Sequence, residues 1–322
     1  MIEIIADDVR FVPCDMLILK YAQGFHGADA LVAETLRLPA KTRMPRPSEF
    51  IVIESHGSVS ATRVLFFGVV PPNYLEYREI REFTRSALKA VSKLFQGFSS
   101  ARRVAMTIHG VGYGLDEREA FLAQLGGIAD ALHGTSSELH ISIVERDAER
   151  ADRLREILNE SWSPQPSEHV AVSKQGGLYP PIRAITAGDA SRSKPHIFVA
   201  MPFGKSFKDV YRFGIQDPVN KAGYLCERVD MISFMGDILD RIKTRIETSH
   251  LVIADLTEAS ANVYLEVGYA WGKGRPTLLL VNESAKEDLK FDVRGQRCIA
   301  YEDIGDLAEK LDQELAILVA KP

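Results

Sequence analysis

Leu251 to Trp271, LVIADLTEASANVYLEVGYAW, is the stretch that most restricts what this chain can fold into. Its apolar run, Leu251-Val252-Ile253-Ala254, has the length of a buried strand and ends in a carboxylate, Asp255. A polar turn follows from Thr257 to Asn262. Val263, Val267, Ala270 and Trp271 then recur at helical spacing. A strand, a loop and a helix in this order belong in an open parallel sheet, which takes ligands at the carboxyl ends of its strands. Glu266 lies four residues after Asn262 and four before Ala270, so the three share one helix face. A carboxylate among Val263, Val267 and Ala270 is costly to bury without a partner or a task.

The chain has 322 residues, 46% of them hydrophobic and 26% charged, which is enough for two domains that each bury a core. A formal charge of -5 argues against nucleic acid as an obligate partner, while leaving room for a local basic patch. Cys14, Cys226 and Cys298 are odd in number and far apart, with no Cys-x-x-Cys pair. Neither a disulfide framework nor a zinc site is supported, so buried thiols in a reducing cytoplasm and no bound metal are expected. Acids interrupt the apolar residues of MIEIIADDVRFVP, unlike a signal peptide, and no apolar run reaches membrane-spanning length.

Residues 1–160 read as alternating strands and helices. Strands are expected at Met16 to Leu19, Phe50 to Ile53, Arg63 to Val70, Val104 to Ile108 and Leu139 to Val144. Helices are expected at Leu75 to Leu94, Glu117 to Leu132 and Glu149 to Leu158. Two glycine-rich loops follow strands and precede helices, one carrying Gly24 and Gly27, the other Gly110, Gly112 and Gly114. Glycine lets backbone approach a ligand, and a helix N-terminus offers N–H groups to phosphate. The same glycines also serve plain tight turns. Residues 161–194, rich in proline, glycine and serine, read as a linker.

Residues 195–322 form a second unit of the same kind. His196 to Ala200 is a strand running into the turn Met201-Pro202-Phe203-Gly204. Helical material follows over Phe207 to Gly214 and Asp217 to Ala222, then a strand from Tyr224 to Asp230. Ile238, Ile242 and Ile246 make an apolar helix stripe. Pro276 to Val281 and Cys298 to Tyr301 are further strands, and Ile304 to Val319 closes the chain as a helix. The strand ends Ala200, Asp230 and Asp255 are expected to converge with Glu266 on one edge of a parallel sheet.

The segments LILKYAQGFHGADA and VAMTIHGVGYGLDEREA resemble the macro-like fold, with the leucyl aminopeptidase N-terminal domain as a related alternative. That resemblance implies a nucleotide or ADP-ribose ligand held by the two glycine loops. Tyr21-Ala22 stand where the family carries an asparagine, so hydrolysis of ADP-ribose is not implied. The segments HIFVAMPFG, ERVD, IKTRIETSHLVIADLT, NVYLEVGYA and FDVRGQRCIAY resemble the nucleoside 2-deoxyribosyltransferase-like and TIR-like superfamily. That resemblance implies a flavodoxin-like parallel sheet and cleavage of an N-glycosidic bond.

The catalytic glutamate of that superfamily maps onto Glu266. Such cleavage builds oxocarbenium character on the sugar, which a carboxylate can stabilise or trap covalently. Met201, Pro202, Phe203 and Gly204 are expected to line the substrate. Asp230 and Asp255 either bind it or cap their turns, and Asn262 either caps its helix or touches the ribose. Tyr269 and Trp271 are expected in the core, and Gly268 where the helix nears the sheet. The leading expectation is an NAD-cleaving enzyme of bacterial antiviral defence, regulated through the macro-like domain. It takes NAD as substrate without a cofactor, and it forms a homo-oligomer. A nucleoside or nucleotide deoxyribosyltransferase or hydrolase is the second reading, and a non-catalytic nucleotide-binding sensor or scaffold the third.

Overall fold

The computed structural model describes residues 1–39, 41–95, 102–133, 139–162, 186–229 and 238–319. Two compact units emerge, one of Met1–Val111 with Glu117–Ser191, the other of Gly112–Asp116 with Arg192–Pro322. Among the described residues no helix is long and apolar enough to cross a membrane.

The first unit holds β1 (Ile2–Ala6), β2 (Cys14–Tyr21), α1 (Ala28–Thr35), β3 (Phe50–Glu54), β4 (Ala61–Gly68), α2 (Tyr77–Leu94), β5 (Arg102–Thr107), α3 (Glu117–Leu132), β6 (Leu139–Glu145) and α4 (Ala148–Trp162). Its six-stranded sheet runs β1-β6-β5-β2-β4-β3, with β3 antiparallel to β4 and every other pair parallel. Both faces of β2 are buried. Met16 and Ile18 join one apolar cluster, while Leu17 and Leu19 join another. That continuous apolar run is what a strand covered on both sides requires. α2 starts with reciprocal bonds between Glu76 and Glu79, a capping box that satisfies two otherwise unpaired N–H groups. α3 lies close against α2 because Gly127 has no side chain; a Cβ there would meet Arg81 O at 2.5 Å.

The second unit holds β7 (His196–Ala200), α5 (Asp217–Lys221), β8 (Leu225–Glu227), α6 (Ile238–Thr248), β9 (Leu251–Asp255), α7 (Ala261–Gly272), β10 (Thr277–Asn282), α8 (Phe291–Arg294), β11 (Cys298–Tyr301) and α9 (Ile304–Val319). The sheet is entirely parallel in the order β11-β10-β9-β7-β8. Numbered from β7, this is the 2-1-3-4-5 order of flavodoxin-like sheets, with its switch point between β7 and β9. The fold is thus α/β in both units.

Alternation along β9 sorts the layers. Leu251 and Ile253 pack with Leu307, Leu311 and Leu315 of α9. Val252 and Ala254 pack with Ile242 and Ile246 of α6 and with Val263 and Val267 of α7. Between β7 and α5, where one helix is expected, Val210–Gln216 winds as a π-helix after a short turn at Lys205–Phe207.

Candidate active site

Glu266 sits on α7 and faces a groove between α6 and α7. The groove has a volume of about 230 Å³ and is walled by Leu239, Ile242, Ile246, Leu265 and Tyr269. Asn262 and Lys243 share it. Ile242 and Ile246 of α6 supply one wall, and Asn262 and Glu266, one turn apart on α7, supply its polar side. Glu266 has no charged or hydrogen-bonding partner among the described residues; burial alone acts on its carboxyl and pushes the pKa from 4.5 up to about 7. A carboxyl in that condition is half-ionised near neutrality and has its oxygens available to a ligand.

Asn262 does not cap the helix. Ser260 holds the N-cap position, and its carbonyl accepts from Val263 N at 3.1 Å. Asn262 therefore presents its side chain to the groove beside Glu266. Tyr269 also lines the groove and donates to Glu247 Oε1 at 2.5 Å, which fixes its ring. The expectation of a core position fails for Trp271, which is 38% exposed. Gly268 faces open space, so it does not serve approach to the sheet.

Asp255 is placed differently. It follows Ile253 in the alternation of β9, and its side chain meets Tyr301 of the α9 face. Tyr301 OH donates to Oδ2 at 2.9 Å, and Thr257 N donates to Oδ1 at 2.9 Å. The residue is fully buried, and desolvation raises its pKa against the pull of those bonds. Asp255 and Glu266 thus have different surroundings. α7 covers the opposite face of the sheet, and Asp255 is absent from the groove lining. Asp230 lies outside the described residues.

The turn after β7 does not line the groove either. Met201 is buried in the α9-side core, Pro202 is half-buried, and Phe203 and Gly204 are exposed. Sequence reasoning passed over Arg228, inside the quoted ERVD segment. Its guanidinium lies 4.1 Å from the Tyr211 ring centroid and 4.9 Å from that of Phe203. Lys243 and Leu265 were also missed, because only the pairing of α6 with α7 gives them a common wall.

In the first unit, Gly27 stands at the N-cap of α1 with φ 56°, and Gly24 precedes it without positive φ. Gly110 has φ 91° and belongs to this unit, whereas Gly112 and Gly114 are counted with the second. Gly114 has φ 90° and a Cβ there would meet Val229 at 2.6 Å, so backbone conformation and packing both demand glycine. Three residues of the quoted segments carry the polarity instead. Lys20 donates to Asp29 Oδ2 at 2.5 Å, both side chains being buried. Desolvation raises the Asp29 pKa, opposed by Lys20. His109 is 2% exposed, and neither ring nitrogen has a hydrogen-bond partner among the described residues. Its ring meets Phe83 edge-on at 4.6 Å. Desolvation, with the charge of Lys20 second, holds it neutral, well below the ordinary histidine range.

No family model and no curated protein sequence matches the chain. Solved structures with some likeness include the Oceanobacillus iheyensis macrodomain with ADP, 16% identical, covering 49% of this chain and 92% of that chain at a TM-score of 0.37. The macro domain of ganglioside induced differentiation associated protein 2 is 16% identical, covering 49% and 82%, at 0.38. The Clostridium botulinum CMP N-glycosidase is 20% identical, covering 37% of this chain and 98% of that chain, at 0.29. Likeness of that degree decides nothing about function, which must be argued from the groove itself.

Proposed function

We propose that the second unit is a nucleotide N-glycosidase that cleaves NAD at its nicotinamide–ribose bond with Glu266. The observation that supports this reading is the unpartnered carboxyl of Glu266, held at the floor of an apolar groove beside Asn262. In this reaction the bond from ribose C1′ to the pyridinium nitrogen breaks, and the electron pair leaves with nicotinamide. The ionised Glu266 stabilises the cationic sugar or bonds to it transiently. Water then adds to C1′, giving ADP-ribose and a proton.

Nicotinamide departs neutral and needs no general acid. This suits a groove whose described lining holds one carboxyl. A second reading draws on the protonated fraction of Glu266, which can protonate a departing base during hydrolysis or base exchange of a nucleoside or nucleotide. In either case the first unit holds a nucleotide-derived ligand near Gly24, Gly27 and Gly110.

The test is incubation of the purified full chain with NAD, NADP and a panel of nucleosides, at low and high protein concentration, with products read by chromatography. Nicotinamide release that disappears in Glu266→Gln supports NAD cleavage. Free or exchanged base favours the second reading. Turnover that persists in Glu266→Gln removes this residue from the chemistry.

A further inference from the structure

We propose that the first unit binds single-stranded nucleic acid in a groove between the sheet edge at β3 and the helix α2. This goes beyond the glycosidase reading and does not depend on it. The groove has a volume of about 440 Å³, and its lining includes Arg85, Lys89 and Lys93 together with Ser48, Ser86 and Phe50, without one carboxylate. The three cations stand four residues apart on one face of α2, a stripe of about 12 Å at 1.5 Å per residue. Lys89 and Lys93 are exposed, and neither forms an ion pair among the described residues. Arg85 shares its charge with Glu82, yet its Nε is buried with no hydrogen-bond partner among the described residues. In a chain of net charge -5 this is a local excess of positive charge over a concave surface.

Phe50 adds an aromatic ring to this cationic groove. It is 40% exposed, and its ring lies 8° from parallel with that of its buried cross-strand partner Phe67, centroids 6.5 Å apart. A fixed aromatic face beside a cationic stripe is the arrangement that holds unpaired bases and their phosphates together. Serine hydroxyls add donors for phosphate oxygens. An acidic peptide is the weaker occupant. Added to the free edge of β3 it would run beside Glu54, and it has no use for an exposed aromatic ring.

The experiment is fluorescence anisotropy of a short labelled oligothymidylate with the full chain across a salt series. The comparison probes are the matching duplex, inorganic polyphosphate and a labelled acidic peptide. The variants are Lys89→Glu with Lys93→Glu, and Phe50→Ala, their folding verified by circular dichroism. Two to three phosphate contacts predict a slope of about -1.4 to -2.1 for log affinity against log salt. The paired lysine reversal abolishes binding, and Phe50→Ala weakens it about fivefold or more. The duplex binds less tightly than the single strand. Absence of salt-dependent binding, indifference to these substitutions, equal affinity for the duplex or polyphosphate, or preference for the acidic peptide would each overturn the proposal.

Discussion

Asp255 and Glu266 stand eleven positions apart in one strand–loop–helix unit, and both are carboxyls with pKa values raised by burial. Their surroundings separate them. Asp255 is enclosed, with both oxygens accepting, one from Tyr301 and one from Thr257. Glu266 faces a groove and accepts from nothing among the described residues. A satisfied buried carboxylate stabilises a loop, whereas an unsatisfied one at a cavity is available to a ligand. The strand-end acid is therefore architecture and the helix acid the candidate for chemistry.

The contrast breaks most sharply under substitution. Glu266→Gln should lower turnover roughly 10²–10³-fold or more, measured as initial rate under saturating substrate, with the fold retained. Asp255→Ala should instead lower stability by about 2–4 kcal/mol in denaturant unfolding, because two buried donors lose their acceptor. If Asp255→Ala left stability unchanged, its architectural role would be wrong.

The Glu266 carboxyl also makes stability depend on pH. The native state holds a proton on Glu266 up to about pH 7, while the unfolded chain releases it near 4.5. Between those values the unfolded state binds fewer protons, so this residue's contribution to stability is present at low pH and lost as pH rises. Glu266→Gln should match the wild type near pH 4.5 and exceed it by on the order of 2 kcal/mol at pH 8. Parallel denaturation curves across that range check the sign without any substrate. Where the ionised form does the chemistry, the wild-type rate rises through pH 7 to a plateau. The smallest effect is expected for Tyr301→Phe, which removes the bond to Asp255 Oδ2 at a cost of about 1 kcal/mol.

Much of this fold was legible because apolar periodicity survives burial. Leu251–Asp255, Cys298–Tyr301 and Ile304–Val319 begin and end where their spacing predicts. β1 was hidden by its acids, since Glu3 points outward while Ile4 is buried. The π-helix at Val210–Gln216 carries ordinary helical composition, and nothing local announces its wider turn. The Glu266 groove was half legible. The face shared with Asn262 and the isoleucine stripe of α6 could each be read, but their pairing is tertiary. Asp255 could be read either as binding substrate or as capping its turn, and the bond from Thr257 N is the one a turn cap makes. The place of Asp255 at the strand end is visible in sequence, but the face it takes depends on which helices cover which side of the sheet.

The most direct measurement is nicotinamide release from NAD by the full-length protein, with Glu266→Gln and Asp255→Asn assayed beside it at equal folded concentration. Release is expected from the wild type, none above background from Glu266→Gln, and retained release from whatever fraction of Asp255→Asn is folded. Full activity in Glu266→Gln, or loss of activity in a fully folded Asp255→Asn, would contradict the division of roles between the two carboxyls.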